Sequence, residues 1–482
     1  MTLPQPLIHR QTSGEQKPVL TRLPHTAHLV GVCGSGMRAL AELLTDLGCR
    51  VSGSDLQRPS GTLAAMQKRG LRVHRGHCDR FLANDAEVLV YSPAVGPNNP
   101  ERQQARRLNI AQMSYSEMLG FLMRDRIGVS IAGTHGKSTT TAMTATILCD
   151  AGTGPSVVVG AELCGRGASG WAGSGSLFVV ESCEYKRSFL DLHPRYAAIL
   201  GIEPDHFDCY PTLADSADAF GNFAAQVAED GMLLVRADCR AAVQSAASAS
   251  CPIATFSCDA EADWRATDLR PAGRGTRFRV FHKGLFIAEL SLQVAGMHNV
   301  QNALAATALC HSIGVSPGEI RESLAGFGGV KRRYEQVGSW RGVTLIDDYA
   351  HHPTAVRATL ETARAQFGQR RIWCAFQPHQ DSRTAALMGD FALSFSPADE
   401  ILVAPTYAAR ESLAAEDTAA ELAERIKSAN SRGRYCPSLD RIVATLEDEA
   451  RPGDVLITMG AGDIDRVHHE FTRRLQRHHS RR

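Results

Sequence analysis

Residues 127–152 read IGVSIAGTHGKSTTTAMTATILCDAG, and this stretch decides the fold class. An apolar run is followed by a glycine turn and by a long segment without Gly or Pro, which predicts a strand, a turn and a helix. The turn GTHGKSTT at 133–140 is typical of a phosphate loop, because backbone N–H groups at a helix N-terminus attract anions. Its G-x-x-G-K-S spacing is shorter than the usual G-x-x-x-x-G-K-S, and a chance glycine turn with an exposed lysine is the alternative interpretation.

The side chains of this turn predict ATP with magnesium as the ligand. Gly133 and Gly136 let the backbone aim its N–H groups at phosphates. Lys137 can reach the β- and γ-oxygens, and the hydroxyl of Ser138 can bind Mg²⁺. We therefore expect ATP to contact the whole turn, which comprises Gly133, Thr134, His135, Gly136, Lys137, Ser138 and Thr139.

Titratable side chains at two further strand ends complete this prediction. The apolar run SLFVV is followed by Glu181 and Glu184. The run AAILGI is followed by EPDHFD, which contains His206. Ligands bind at the carboxyl ends of strands in doubly wound sheets, so we expect these side chains to approach the phosphate turn. The predicted magnesium ligands are Ser138, Glu181 and His206. A purely structural role for His206 is the alternative.

Strand and helix patterns alternate on both sides of this segment. Before it, HLVGV leads through the turn GVCGSGM (31–37) to a helical stretch and to the strand CRVSGSD, which ends at Asp55. After it, the strands GVTLID, RRIWCAF, EILVAP and DVLITMGAG alternate with helical stretches. Alternation of this kind predicts parallel sheets joined by right-handed crossovers. We therefore predict an α/β chain of three layered domains.

Length and composition fit a globular enzyme. A chain of 482 residues exceeds one ordinary core, and a formal net charge of +1 gives no reason to expect a nucleic acid or a membrane as partner. The 13 cysteines show no zinc spacing. The chain has no apolar run of about 18 residues and no signal-peptide pattern. We expect a cytoplasmic protein, monomeric or homodimeric, without membrane insertion.

Seven motifs occur in the order found in Mur ligases, which this chain resembles from about residue 28 to residue 463. They are GTHGKSTT (133–140), GIEPDHFD (201–208), GMHNVQNALAA (296–306), GVKRRYE (329–335), DDYAHHPT (347–354), FQPHQDSRT (376–384) and MGAGDI (459–464). The resemblance implies ATP- and magnesium-dependent ligation of L-alanine to the carboxylate of UDP-N-acetylmuramic acid through an acyl phosphate. This reaction is the first amino-acid addition in peptidoglycan precursor synthesis, and so serves cell-wall formation, cell shape and division.

The resemblance also implies a domain plan. It comprises a flexible extension (1–26), a Rossmann-like UDP-sugar-binding domain (27–125), a central P-loop ATPase-like domain (126–335) and a C-terminal Rossmann-like amino-acid-binding domain (336–482).

Further site residues follow from the resemblance. The residues implied to bind ATP, in addition to the turn, are Asn299, Asn302, Arg332 and Asp348. Those implied to bind the amino acid are His351, Arg383 and Arg410. Those implied to bind the UDP-sugar are Gly34, Ser35, Gly36, Met37, Ser54, Asp55, Ser92 and Ala94. The implied catalytic residues are Lys137, Glu181, His206 and His351.

Several alternatives stay open. Asn299 is equally well read as a helix cap, and the cations 331–333 as a solvated face. Alone, Gly31-x-x-Gly34-x-Gly36 with Asp55 also fits a dinucleotide site. The rival functions are a recycling ligase that joins a murein tripeptide to UDP-N-acetylmuramate and a non-catalytic UDP-sugar/ATP sensor. The departures from the family pattern are Gln380 for Arg, Gly201 for Asn, and Cys183 and Lys186 for Asp.

Overall fold

The computed structural model describes residues 20–56, 66–408, 418–429 and 432–479. The chain divides into a first compact unit that ends at Met118 and a second that begins at Leu119. The first unit contains one sheet of five strands, and the second contains sheets of ten and six strands. The predicted α/β class with three layered sheets is confirmed, whereas the domain boundaries at 27, 126 and 336 stay predictions.

The first sheet is wholly parallel, in the order β3-β2-β1-β4-β5. Its strands are β1 (Thr26–Val30), β2 (Arg50–Asp55), β3 (Arg72–Arg75), β4 (Val88–Tyr91) and β5 (Ala111–Ser114). The helical segments up to residue 123 are Ser35–Asp46, the 3₁₀ turn Asp79–Phe81, Pro100–Arg107 and Tyr115–Met123. The strand order reverses at β1, which lies between β2 and β4. In such sheets a reversal opens a ligand crevice beyond the carboxyl ends of the strands.

The second sheet has the order β15-β14-β13-β12-β11-β10-β6-β9-β7-β8. Its strands are β6 (Ile127–Ala132), β7 (Ser156–Val158), β8 (Gly170–Trp171), β9 (Leu177–Glu181), β10 (Tyr196–Ile199), β11 (Met232–Arg236), β12 (Ile253–Ser257), β13 (Trp264–Ala272), β14 (Gly275–His282) and β15 (Leu285–Ser291). Its helical segments are Lys137–Asp150, the 3₁₀ segment Tyr185–Asp191, Leu213–Ala224, Arg240–Ala246, Met297–Ile313 and Pro317–Gly326. Both Lys137–Asp150 and Met297–Ile313 carry apolar side chains that belong to one buried core beside the sheet.

Both edges of this second sheet depart from parallel pairing. The pairs β13–β14, β14–β15 and β7–β8 are antiparallel. Two-residue links join β13 to β14 and β14 to β15, and a parallel crossover needs about a dozen residues or more.

The third sheet has the order β16-β17-β21-β18-β19-β20, and only β16 runs antiparallel to its neighbour. Its strands are β16 (Glu335–Trp340), β17 (Val343–Asp348), β18 (Ile372–Phe376), β19 (Glu400–Val403), β20 (Gly433–Tyr435) and β21 (Val455–Met459). Its helices are Pro353–Phe367, Asp381–Ala386, Met388–Ser394, Thr418–Ser428, Leu439–Glu449 and Arg466–His479. Throughout the described residues, every helix is too short or too polar to cross a bilayer.

Candidate active site

The phosphate turn connects β6 to the helix Lys137–Asp150. Gly133 and Gly136 have φ of +135° and +81°, which L side chains rarely adopt. A Cβ at Gly136 would also lie 2.5 Å from Oδ1 of Asn302. Among the described residues no side chain caps this helix, so its first N–H groups are available to an anion.

Lys137 is held at the mouth of the turn by Glu184. Its Nζ donates to Oε1 of Glu184 at 3.0 Å and to the carbonyl of Gly133 at 2.5 Å. Burial by itself would lower the pKa of Lys137, but the Glu184 carboxylate outweighs burial and raises that pKa. The ammonium is therefore charged, as phosphate binding requires.

Ser138 and Glu181 lie together beside this ammonium. The hydroxyl of Ser138 donates to Oε1 of Glu181 at 3.1 Å, and Oε2 of Glu181 accepts from the N–H of Gly160 at 2.6 Å. Nε2 of His206 lies 3.8 Å from Oε1 of Glu184. The structure thus brings together the four residues Lys137, Ser138, Glu181 and His206, with Glu184 between two of them. Their roles toward ATP and magnesium stay predictions.

The arginine directed at this cluster is Arg333, not the predicted Arg332. Nη2 of Arg333 donates to the hydroxyl of Ser138 at 3.1 Å. The guanidinium of Arg332 instead donates to Asp347 at 3.0 Å and to the carbonyls of Gly460 and Gly462. Arg332 has a φ of +57°, a backbone conformation that residues other than glycine rarely adopt. The solvated-face alternative is also wrong for these two arginines, because both make defined contacts.

The predicted purine contacts, Asn299 and Asn302, are buried beneath the phosphate turn. Nδ2 of Asn302 donates to Oδ1 of Asn299 at 3.2 Å, and Oδ1 of Asn302 accepts from Thr140 at 3.2 Å. Nδ2 of Asn299 donates to the carbonyl of Ala295 at 2.6 Å. These bonds support the turn from below. The alternative of an N-cap at Asn299 is wrong, because the helix begins at Met297 after Gly296.

Asp348 is buried at the end of β17. Its carboxylate accepts from the N–H groups of Tyr334 at 2.9 Å and Ala350 at 2.7 Å, and from the Thr359 hydroxyl at 3.2 Å. Burial raises the pKa of Asp348 to about 6. These bonds fix the loop that carries His351, while a contact with ATP stays a prediction.

His351 presents one nitrogen in a fixed tautomer. Its Nδ1 lies 2.8 Å from the carbonyl of Tyr349, and a carbonyl only accepts, so Nδ1 carries the proton and Nε2 carries the lone pair. Burial, with the charge of Arg383, lowers the pKa of His351 well below its ordinary value. The imidazole is therefore neutral at physiological pH and its Nε2 is an acceptor.

Arg383 is buried in an ion pair that the sequence did not indicate. Its Nε donates to Oδ1 of Asp205 at 2.7 Å, and its Nη1 donates to Nδ1 of His379 at 3.0 Å. Burial by itself would raise the pKa of Asp205, but the charges of His206 and Arg383 outweigh it and hold that pKa well below its usual range. Asp205 precedes His206 in the motif EPDHFD, so the sequence placed Asp205 near this strand end. Nothing in the sequence indicates that Asp205 pairs with Arg383.

The remaining predicted ATP-binding residues of the phosphate turn contact neighbouring segments or lie within its helix. The Thr134 hydroxyl accepts from the N–H of Glu203 at 2.9 Å, and Thr139 is buried in the first turn of the helix. His135 lies beside His352, with ring centroids 4.7 Å apart. The predicted Arg410 lies outside the described residues.

Two of the departures occupy backbone positions of positive φ. Gly201 has a φ of +143°, and its carbonyl accepts from the N–H of Thr134 at 2.9 Å. Gln380 has a φ of +69° and immediately precedes the helix Asp381–Ala386. Burial raises the pKa of the Cys183 thiol to about 12, so this residue cannot replace an aspartate as a charged group.

The first unit contains the other predicted site, at the ends of β1, β2 and β4. The turn after β1 has Gly31 at a φ of +84°, and a Cβ there would lie 2.9 Å from Cβ of Ser92. Asp55 accepts from the N–H of Cys33 at 2.8 Å. The helix that begins at Ser35 has no side-chain cap among the described residues. The residues that meet at this edge are Gly34, Ser35, Gly36, Met37, Asp55, Ser92 and Ala94.

Ser54 is the exception in this first site. Its side chain is fully buried, its hydroxyl donates to Oε2 of Glu101 at 2.7 Å, and it lies 2.9 Å from Nδ1 of His77. His28 also bonds to Glu101, at 2.7 Å. The predicted contact between the Ser54 side chain and uridine is therefore replaced by a buried hydrogen-bond network.

Comparison with protein-family models matches three successive segments. Residues 26–127 match the model described as Mur ligase family, catalytic domain. Residues 131–310 match the Mur ligase middle domain, and residues 332–462 match the Mur ligase glutamate ligase domain.

Curated relatives are similar over most of the chain. The UDP-N-acetylmuramate–L-alanine ligase of Desulfitobacterium hafniense is 40% identical over 451 residues, which is 92% of this chain and 99% of the relative. The enzyme of the same name from Salinibacter ruber is 38% identical and covers 95% of this chain and 97% of its own length.

Solved structures agree in fold. The UDP-N-acetylmuramate–alanine ligase of Thermotoga maritima superposes with a TM-score of 0.80 at 27% identity, over 94% of this chain and 99% of that one. A murein peptide ligase from Psychrobacter arcticus has a TM-score of 0.72 at 26% identity, over 93% of this chain and 98% of that one.

Proposed function

Because this chain belongs to the Mur ligase family, we propose that it joins L-alanine to the carboxylate of UDP-N-acetylmuramate at the expense of ATP. The observation that carries this proposal is the charged cluster at the phosphate turn, in which Lys137, Ser138 and Glu181 meet. A non-catalytic sensor would need only the anion-binding turn. The chain instead places Lys137, Glu181 and Arg333 around this turn, which favours an enzyme.

The first step activates the carboxylate. An oxygen of the UDP-N-acetylmuramate carboxylate attacks the γ-phosphorus of ATP, and the bond from that phosphorus to the bridging oxygen breaks, which yields an acyl phosphate and ADP. Negative charge on the transferring group must be neutralised. Lys137 supplies one cation at the turn, and Arg333, bonded to Ser138, supplies a second.

The residues at the turn fit magnesium in part. Ser138 and Glu181 offer a hydroxyl and a carboxylate oxygen 3.1 Å apart, and Mg²⁺ prefers oxygen ligands. His206 offers nitrogen, which Mg²⁺ disfavours, so we assign it to hydrogen bonding at the rim of this site. Magnesium bound by Ser138 and Glu181 would neutralise phosphate charge.

The second step forms the amide. The free amine of L-alanine attacks the acyl carbon, phosphate leaves, and the nitrogen loses a proton. Nε2 of His351 is an acceptor in the required tautomer, and we assign it to holding the attacking amine. The low pKa of His351 makes this residue a weak base. His351 therefore orients the amine, and the proton goes on to solvent or to the released phosphate.

The alanine carboxylate is assigned to Arg383. Within the described residues its Nε and Nη1 are bonded to Asp205 and His379, which leaves Nη2 to meet the substrate. The buried pair keeps the guanidinium in one orientation, as recognition of a carboxylate requires.

The UDP-sugar is assigned to the glycine turn of the first unit. The uncapped helix N-terminus at Ser35 and the close-packed Gly31 provide backbone N–H groups for a diphosphate. A cytoplasmic location and a monomeric or homodimeric state stay predictions of the sequence.

The experiment that tests this function is phosphate release from ATP with purified protein, Mg²⁺ and UDP-N-acetylmuramate. We expect release only when L-alanine is added, with a product heavier by one alanyl unit in mass spectrometry. Release that depends on the murein tripeptide instead would assign the recycling reaction. Absence of release with either acceptor, in protein that still binds UDP-N-acetylmuramate, would assign the sensor.

A further inference from the structure

A second group of metal-ligand atoms includes one residue of the phosphate turn. It consists of His135 in the turn, Glu203 after β10 and His352 after β17. Nε2 of His135 lies 3.5 Å from Oε2 of Glu203, and Nδ1 of His352 lies 3.8 Å from the same oxygen. One ligand atom from each residue falls within 4.8 Å of the other two.

This spacing matches the coordination shell of a small dication. Zinc binds histidine nitrogen and carboxylate oxygen at about 2.0 to 2.2 Å, and tetrahedral angles then separate neighbouring ligand atoms by about 3.4 Å. The two measured separations of 3.5 and 3.8 Å require only small side-chain adjustments.

The hydrogen-bonding state of His135 suits metal binding. Its Nε2 is buried and makes no hydrogen bond within the described part of the chain, although a carboxylate oxygen is 3.5 Å away. Buried polar atoms of proteins are almost always paired, so an orphaned nitrogen beside a carboxylate indicates a site for an ion.

The tautomer of His352 also suits metal binding. Its Nε2 lies 3.1 Å from the carbonyl of Pro204, so Nε2 carries the proton and Nδ1, 3.8 Å from Oε2 of Glu203, carries the lone pair. A backbone carbonyl in this position is a common outer partner of metal-bound histidine. The only competing contact in the described residues is a long 3.4 Å bond from the N–H of Thr354.

Glu203 is oriented by the same surroundings. The Thr354 hydroxyl donates to Oε2 of Glu203 at 2.5 Å, which holds the carboxylate between the two imidazoles. The side chains of His135 and Glu203 are 30% and 35% exposed, so a cation has a path from solvent.

We propose that His135, Glu203 and His352 bind a transition-metal dication of the zinc class, at a site separate from the proposed magnesium site. Two nitrogen ligands and one oxygen favour zinc over Mg²⁺ and leave a fourth position for water. The bound ion joins the phosphate turn, the segment after β10 and the loop after β17. Its binding therefore stabilises the nucleotide-free protein by fixing these three segments to one another.

The test is calorimetric titration of nucleotide-free, untagged protein with ZnCl₂ in buffer that contains excess Mg²⁺. His352→Asn removes one ligand and keeps a side-chain oxygen for the N–H of Thr354, and Glu203→Gln keeps an acceptor for the Thr354 hydroxyl. We expect one zinc site in the wild type, weakened at least tenfold in either variant. Bound zinc should raise the Tm of the wild type and leave that of His352→Asn nearly unchanged.

Two matched controls separate this site from other possible sites. Glu181→Gln alters the proposed magnesium site, and His478→Ala with His479→Ala alters the His/Arg-rich end of the chain. Both controls should keep the zinc affinity. Unchanged affinity in His352→Asn and Glu203→Gln, loss of affinity in either control instead, or absence of zinc binding to the wild type would each overturn the proposal. If His352→Asn does not fold, Glu203→Gln and the visible spectrum of Co²⁺ in the wild type decide between the same outcomes.

Discussion

Two glycine turns, 31–37 in the first unit and 133–138 in the second, each follow a parallel strand and precede a helix. Each has glycine at positive φ and a helix N-terminus without a side-chain cap within the described residues. They differ in charge. The first turn has neutral side chains, and burial raises the pKa of its Cys33 thiol to about 11. The second carries Lys137, paired with Glu184.

This difference separates anion binding from phosphoryl transfer. Backbone N–H groups and the helix dipole suffice to hold a diphosphate, and both turns provide them. Transfer of a phosphoryl group requires cations and metal ligands as well. Those of the second turn come from separate segments, because Glu181 is the last residue of β9 and Arg333 precedes β16.

The largest predicted effect is at Lys137. Replacement by Met removes the cation of the second turn, and we expect kcat for alanine-dependent phosphate release to fall about 10³-fold. A double variant with Glu184→Gln controls for the unpaired buried carboxylate. Recovery of activity in the double variant would show that the loss came from Glu184 and would contradict the assigned role of Lys137.

The next largest effects are at the neighbouring arginines, where one substitution should lower kcat and the other should lower stability. Arg333→Ala should lower kcat about 10²-fold with little change in stability, because Arg333 contacts Ser138. Arg332→Ala should leave the buried Asp347 without its cationic partner and lower the free energy of unfolding by about 2 kcal/mol. Steady-state kinetics and urea unfolding distinguish the two. A fall in kcat confined to Arg332→Ala would return the phosphate role to that residue.

At the first turn the predicted effect is on KM. Gly34 has a φ of −60°, and a Cβ there would meet only the Gly31 carbonyl, at 3.5 Å, so alanine fits the fold. The added methyl would occupy the space proposed for the diphosphate. We expect KM for UDP-N-acetylmuramate to rise about tenfold with kcat and Tm nearly unchanged. An unaltered KM would move the UDP-sugar away from this turn.

The smallest predicted effect concerns the network that holds Arg332 away from the second turn. Thr458 donates to Asp347 at 2.7 Å and lies 2.6 Å from Nε2 of His468. Burial lowers the pKa of His468 to about 4. The unfolded chain, in which a histidine titrates near 6.5, binds more protons below that pH, so stability is lost as pH falls from about 6.5 to 4. Between pH 7 and 6 the free energy of unfolding should fall by about 1 kcal/mol at most, and by less in His468→Gln. Urea unfolding at the two pH values measures this difference.

Much of this architecture was predictable from local patterns. The strand, turn and helix at 127–150 and the meeting of Lys137, Ser138, Glu181 and His206 followed from glycine spacing and from the rule that strand ends share one edge. The choice between Arg332 and Arg333 did not, because it depends on contacts with Asp347 and Ser138, which lie 15 and 195 positions away along the chain.

Other features depended on contacts between distant segments. The burial of Ser54 against Glu101 and the pairing of Arg383 with Asp205 join residues 47 and 178 positions apart. Single-residue patterns contain no signal for such pairs. Strand direction at the sheet edges is a different case, since strand periodicity does not give it.

Calorimetric titration of UDP-N-acetylmuramate into Lys137→Met and Gly34→Ala tests the division between the two turns most directly. We expect Lys137→Met to keep the wild-type Kd within about twofold, whereas Gly34→Ala should weaken binding about tenfold. Equal weakening in both variants, or weakening in Lys137→Met alone, would contradict the separation of a binding turn from a phosphoryl-transfer turn.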